Sequence, residues 1–140
     1  MVIDEMTNNF FLKKLYSSDI TSSILIGRFS IDLSGYCDIE FHVNKKPDIS
    51  VEKYGVWGVD YNTIVIKTKG KISGDVLITE WLLNGYKELN VKKTDDGIII
   101  KSKNGKFNFS VELSGLIFQG ISVYYDGEGW SIIKRYLNSV

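Results

Sequence analysis

Residues 98–111 read IIIKSKNGKFNFSV, with Asn104-Gly105 between two alternating runs. Asn-Gly in that setting is the strongest short-range hairpin signal, because its turn needs a positive φ that these two residues tolerate. A two-residue turn there sets Ser102 opposite Phe107, Ile100 opposite Phe109 and Ile98 opposite Val111. Apolar meets apolar. Side-chain direction repeats every two residues, so a slip of one would turn the whole set to water. Upstream, Thr94-Asp95-Asp96-Gly97 as a four-residue turn sets Val91 opposite Ile100, in the same phase. Residues 88–113 therefore read as a three-stranded meander, which commits the chain to antiparallel sheet.

The alternation recurs elsewhere. In RFSIDLS, Phe29, Ile31 and Leu33 alternate with polar residues, and in CDIEFHVN so do Ile39, Phe41 and Val43. Each reads as a strand with one face buried and one wet. Further strands are expected at 63–69, 74–81 and 117–125, with a bulge at Gly120 where the phase changes. Ile64, Ile66, Ile121 and Val123 complete the expected core. NNFFLKKLYSSD places Phe10, Phe11 and Leu15 at helical spacing with Lys13 and Lys14 outward, and WSIIKRYLNSV places Trp130, Ile133 and Leu137 on one helical face. The expectation is a single domain, 1–140. It is all-β, a sandwich or partly open barrel of seven to nine mostly antiparallel strands, with a short N-terminal helix and a short C-terminal one.

Seventeen basic and seventeen acidic residues balance to a net charge of zero, so there is no global attraction to nucleic acid or an anionic membrane. The charge is uneven: −3 over 1–66, +4 over 67–110 and −1 over 111–140. One cysteine, Cys37, excludes an internal disulfide. No signal peptide and no apolar run of membrane-spanning length is evident, which points to a reduced, cytoplasmic protein. His42 is the sole histidine. A hydrolytic triad, a Cys–His pair or a two-histidine zinc site has little to build on, and Cys37 and His42 fall on opposite strand faces. No phosphate loop, dinucleotide-binding glycine pattern or calcium loop occurs, so no cofactor is expected.

Three places remain as candidates. Asp38, Glu40 and His42 share a strand face. If Gly35–Cys37 is a three-residue hairpin loop, Asp32 lies opposite Glu40, and two opposed carboxylates favour a cationic partner group. VWGVDYN carries Trp57, Asp60 and Tyr61 in a loop. YYDGEGW carries Tyr124, Asp126, Glu128 and Trp130, with Tyr125 pointing inward and Tyr124 outward. Two carboxylates are too few for a calcium loop. Beside each stands a plainer reading: a solvated strand face, aromatic core anchors, and a strand-to-helix connection. The sharper one is a protein-contact surface, since Trp and Tyr beside acids on loops are what binding surfaces are made of.

The layout resembles a β-rich group of bacterial immunity proteins, the antidotes of polymorphic-toxin and contact-dependent growth inhibition systems. The resembling stretches are FFLKKLYSSD, WGVDYNTIVIK, ITEWLLNGYKELNV and FNFSVELSGLIFQGISVYY. They cover most of the chain as spacing and residue class. The resemblance implies a non-enzyme, monomeric or in a one-to-one complex, that binds one cognate toxin domain and blocks its active site or substrate access. Such toxins are often nucleases with basic working surfaces, which suit acidic antidotes. The neutral charge departs from that pattern. Two alternatives stay open: a β-sandwich ligand module for carbohydrate or another small molecule, using Trp57, Tyr61 and Trp130 as stacking platforms, and a small hydrolase centred on His42 with Glu40 or Asp38.

Overall fold

The computed structural model of the protein describes residues 2–127. A 3-10 turn (Val2–Glu5), the two-residue β1 (Met6–Thr7) and a six-residue helix α1 (Phe10–Leu15) come first. The strands β2 (Ile24–Ile31), β3 (Tyr36–Val43), β4 (Thr63–Thr79), β5 (Leu89–Lys93), β6 (Ile98–Asn104) and β7 (Phe107–Tyr124) follow. Among the described residues these form one seven-stranded sheet in the order β2-β3-β4-β7-β6-β5, with β1 parallel to β7. The fold is all-β, as the alternation requires. The expected C-terminal helix, with Trp130, Ile133 and Leu137, lies outside the described residues.

β4 and β7 are 17 and 18 residues long, about three times an ordinary strand. The segments expected at 63–69 and 74–81 are one strand, and 117–125 continues the last strand of the meander. Register shifts at Lys67/Thr68, Lys71/Ile72 and Ile72/Val76 break the pairing of β4 with β7. The first of them places the bulge at Gly120, where expected: Lys67 faces Gly120 and Thr68 faces Phe118. Bulges bend the strand that carries them, so the sheet curls over itself. Phe29 of β2 meets Phe109 of β7 edge-on, 5.2 Å between centroids, although two strands separate them in the sheet. The outer edges also touch. Ile24 exchanges backbone hydrogen bonds of 2.9 and 3.1 Å with Lys87, just ahead of β5. The result is a partly closed barrel.

The hairpin parities survive with one change. Thr94–Gly97 is the four-residue turn, and Val91 faces Ile100. The β6–β7 turn is one pair further out than expected: Asn104 faces Phe107 and Ser102 faces Phe109. Gly105, at φ +58, takes the left-handed position that follows Asn104. A shift of two keeps phase, so Ile98, Ile100, Phe107, Phe109 and Val111 all point inward and are buried.

β2 keeps the expected phase at Phe29, which packs on the core, but Ile31, at the strand's end, is half-exposed and Leu33 is fully exposed in the turn. Ahead of Phe29 the strand extends back to Ile24, and a bulge between Ile26 and Arg28 reverses the alternation, so that Ile24 and Ile26 are also buried. Gly27 sits in that bulge, and a Cβ there would strike the imidazole of His42. The N-terminal helix also differs: Leu12 and Leu15 are its buried pair, Phe11 is half-buried, and Phe10 is exposed beneath the ammonium of Lys14. With Val2, Ile3, Met6, Tyr16 and Ile20 this N-terminal segment belongs to the main core.

Candidate functional site

β4 begins at Thr63, opposite Tyr124 near the end of β7, so the loop entering β4 and the chain leaving β7 part from the sheet at the same end. Asn62 ties them together. Its backbone N–H donates to the Tyr124 carbonyl (3.1 Å), its Nδ2 donates to the Asp126 carbonyl (2.8 Å), and its Oδ1 accepts the Asp126 N–H (2.7 Å). On the other side the loop is closed by Gly58 N–H donating to the Tyr61 carbonyl (2.7 Å), and by the Asp60 carboxylate accepting the Val56 N–H (2.7 Å). Tyr61 is core, 2% exposed. Trp57 stands perpendicular to it at 5.2 Å and is half-buried, and Tyr54 adds a third ring at 5.9 Å from Tyr61. The aromatics thus anchor the loop from beneath. What they push outward is Val56 and Val59, 60% and 72% exposed, beside the exposed Asp60. Tyr125, expected to point inward, is exposed at the same end. A recess of about 340 Å³ opens between Pro47, Asp48, Ile49, Val56, Trp57 and Tyr61.

Tyr124 does point outward from the barrel, but onto His42. Its hydroxyl and His42 Nδ1 share a hydrogen bond of 2.8 Å, and the rings meet edge to face. The face of β3 that alternation marks as wet is buried here: His42 is 8% exposed, and Leu25 and Val65, its register partners on β2 and β4, are buried beside it. Burial pushes the imidazole down to about 4, against the opposing pull of the Asp126 carboxylate. Burial likewise raises Tyr124 and Tyr86; the Tyr86 hydroxyl is buried with no hydrogen-bond partner among the described residues. All three rings therefore stay neutral at neutral pH. Asp126 is half-buried with its backbone held at both ends, so it is part of this frame as well as its rim. Glu128 lies outside the described residues.

The remaining acids are elsewhere. The β2–β3 register pairs Arg28 with Glu40 and Ser30 with Asp38, so the expected opposition of Asp32 and Glu40 does not occur. Across β4, Glu40 faces Lys67 and Asp38 faces Lys69. Arg28 lies 4.0 Å from Glu40. Each carboxylate has cations alongside already, which removes the argument for an external one. Asp32 builds the turn: its Oδ1 accepts from the Ser34 N–H (2.9 Å), the Ser34 hydroxyl (2.7 Å) and the Tyr36 N–H (3.0 Å). Asp38 is five residues from Val43, about 17 Å along the strand, so these acids are remote from the loop end. Gly27, lacking a Cβ, leaves the space that the His42 imidazole fills. Among the described residues no group of three His, Cys, Asp or Glu side chains could hold a metal ion.

The structure therefore brings Trp57, Asp60, Tyr61, Tyr124 and Asp126 to one end and leaves Asp32, Asp38 and Glu40 off it. Asn62 and Tyr86, which organise that end, carry no sequence signal of their own. Among the described residues no helix is long and apolar enough to cross a membrane. Comparisons with family models, curated proteins and solved structures find no match to the chain.

Proposed function

We propose that the protein is an antidote that binds and neutralises a cognate bacterial toxin domain without catalysing a reaction, acting in the cytoplasm. The observation that carries this reading is the end built by Asn62. Exposed Val56, Val59 and Tyr125 stand beside Asp60 and Asp126 on a frame of buried rings and closed hydrogen bonds. Apolar side chains held rigidly among acids lose little freedom on binding. They suit a partner surface that is apolar at its centre and basic at its rim, and a nuclease supplies such basic groups where it binds its substrate. The test is co-purification with the C-terminal domain of the toxin encoded beside the gene, with toxin activity assayed in the complex. A one-to-one complex without toxin activity supports the reading, and separate elution at micromolar concentration contradicts it.

The recess beside Trp57 supports a second reading, a module that binds a small molecule. At about 340 Å³ it is near the lower bound of ordinary ligand pockets. Trp57→Ala separates the two, since a stacking platform would lose its ligand entirely whereas a buried anchor would lose stability.

A further inference from the structure

β4 is paired on both sides only over part of its length. β3 runs beside it from Ile64 to Lys71, and the Ile72 N–H still donates to the Gly35 carbonyl, at 2.8 Å. Beyond Ile72 the only strand paired with β4, among the described residues, is β7 on its other side. After the irregularity at Ile72/Val76 the pairing becomes regular again, Val76 with Val111 through Thr79 with Asn108. The outer edge of residues 76–79 is thus a regular strand edge with no strand against it among the described residues. Its side chains are apolar on both faces. Leu77 is 47% exposed, and Ile78 37% exposed although its register partner Phe109 is core. Just beyond, Leu82 and Leu83 are also exposed. Edges of this kind are normally blunted by lysine or proline, and residues 72–83, ISGDVLITEWLL, contain neither.

The charge immediately around the edge is mostly acidic. Asp75 and Glu80 flank it, and Glu112 of β7 lays its carboxylate over Gly74. The outward positions of β7 next to the edge, Asn108 and Ser110, are neutral. Lys101 and Lys103 of β6 pair with those same residues, which puts them two strand spacings from the edge, about 10 Å and beyond a Debye length at physiological salt. Lys106, in the hairpin turn, is a base at the end of the edge, its carbonyl accepting from the Thr79 hydroxyl.

We infer that this edge, over residues 75–79, takes up an extended segment of a partner protein that alternates apolar side chains with lysine or arginine. The unpaired backbone supplies strand addition, Leu77 and the Leu82–Leu83 turn receive the apolar side chains, and Asp75, Glu80 and Glu112 receive the basic ones. A second copy of the chain fits less well, because it would bring the same acids to the same edge. The inference goes beyond the antidote reading and does not need it: the edge lies at the far end of β4 from Asn62.

The experiment uses the full chain, ¹⁵N-labelled, titrated with blocked peptides of sequence KVKVKV and EVEVEV. Binding of the lysine peptide is expected to shift amides confined to 74–83 and to slow exchange at alternate amides of 75–79. The glutamate peptide should bind at least about tenfold more weakly, and the difference should shrink with salt. Leu77→Lys, which places a gatekeeping charge on an exposed position, and Ile78→Pro, which removes an N–H on the free edge, should each abolish the response while leaving the rest of the spectrum in place. Equal binding of both peptides, or no shift at these amides, overturns the proposal. So do edge amides already protected in the free monomer, and a concentration-dependent dimer that maps to the same amides.

Discussion

His42 Nδ1 and the Tyr124 hydroxyl share a hydrogen bond of 2.8 Å between residues 82 apart in the chain. That bond makes the only histidine part of the frame, and it has consequences for stability against pH. The imidazole is pushed from 6.5 to about 4 in the fold by burial, so the unfolded chain takes up its proton first as pH falls. The stability due to neutral His42 is fully present above about pH 7. It declines from about 6.5 and is lost by about 4, a change on the order of 3 kcal/mol. Asp19, Asp32 and Asp48, held below the ordinary carboxylate value by hydrogen bonds from Thr21, Ser34 and Ser17, lose their share only below about pH 4. Urea unfolding midpoints between pH 4 and 7 measure the histidine window alone. His42→Ala should flatten it, and an unchanged slope in that variant would contradict the account.

Tyr124→Phe keeps the ring and removes the hydroxyl. It should destabilise by about 1–3 kcal/mol, the cost of leaving a buried partner unsatisfied. His42→Ala should cost a similar amount, more than a solvated histidine on a wet strand face would. Both variants should bind the partner with unchanged affinity once folded. A loss of binding in a folded variant would give the cluster a direct role in recognition.

Gly27→Ala should cost about 1–3 kcal/mol, because the added methyl meets the imidazole. Combining it with His42→Ala should recover part of that. The coupling read from the double-mutant cycle is expected at about 0.5–3 kcal/mol. Independent effects of the two substitutions would mean that the bulge and the histidine do not depend on each other.

Ile100 and Leu33 test the packing by contrast. Ile100 is fully buried and Leu33 fully exposed in its turn. Ile100→Ala should cost about 2–5 kcal/mol, and Leu33→Ala should fall within about 0.5 kcal/mol. Chemical denaturation of the two variants checks both. A large cost at Leu33 would place it in the core with Phe29, where strict alternation expects it.

The meander was legible because parity is a strong constraint. Asn104-Gly105 and Thr94–Gly97 tie three strands to one phase, and an error of two residues in the turn changed no side chain's face. β2 was half legible: Phe29 faces the core as alternation requires, but the strand ends at Ile31, which leaves Leu33 in the turn, and the bulge at Gly27 hid Ile24 and Ile26, because a glycine in a strand does not say on its own whether it bulges. His42 was misread for a related reason. Alternation reports which face a residue is on, and the outer face at that point is covered by Tyr124 from a strand not adjacent in the sheet. The loop end was half legible. The aromatics and acids marked it, but Asn62, whose side chain makes both backbone bonds to Asp126, looks like any asparagine before a strand.

Binding of a toxin domain at the end organised by Asn62 is read by isothermal titration of the chain with that domain. Three variants accompany the native protein: Val59→Asp, which places a charge among the exposed apolar side chains, Asp60→Lys, and Asp32→Lys at the opposite end of the barrel. The account predicts a one-to-one complex. Val59→Asp should weaken it by about 1–3 kcal/mol, Asp60→Lys through the loss of both a rim charge and the loop-closing bond to the Val56 N–H, and Asp32→Lys not at all. A complex weakened by Asp32→Lys but untouched by the loop variants, or no complex at all, would contradict it.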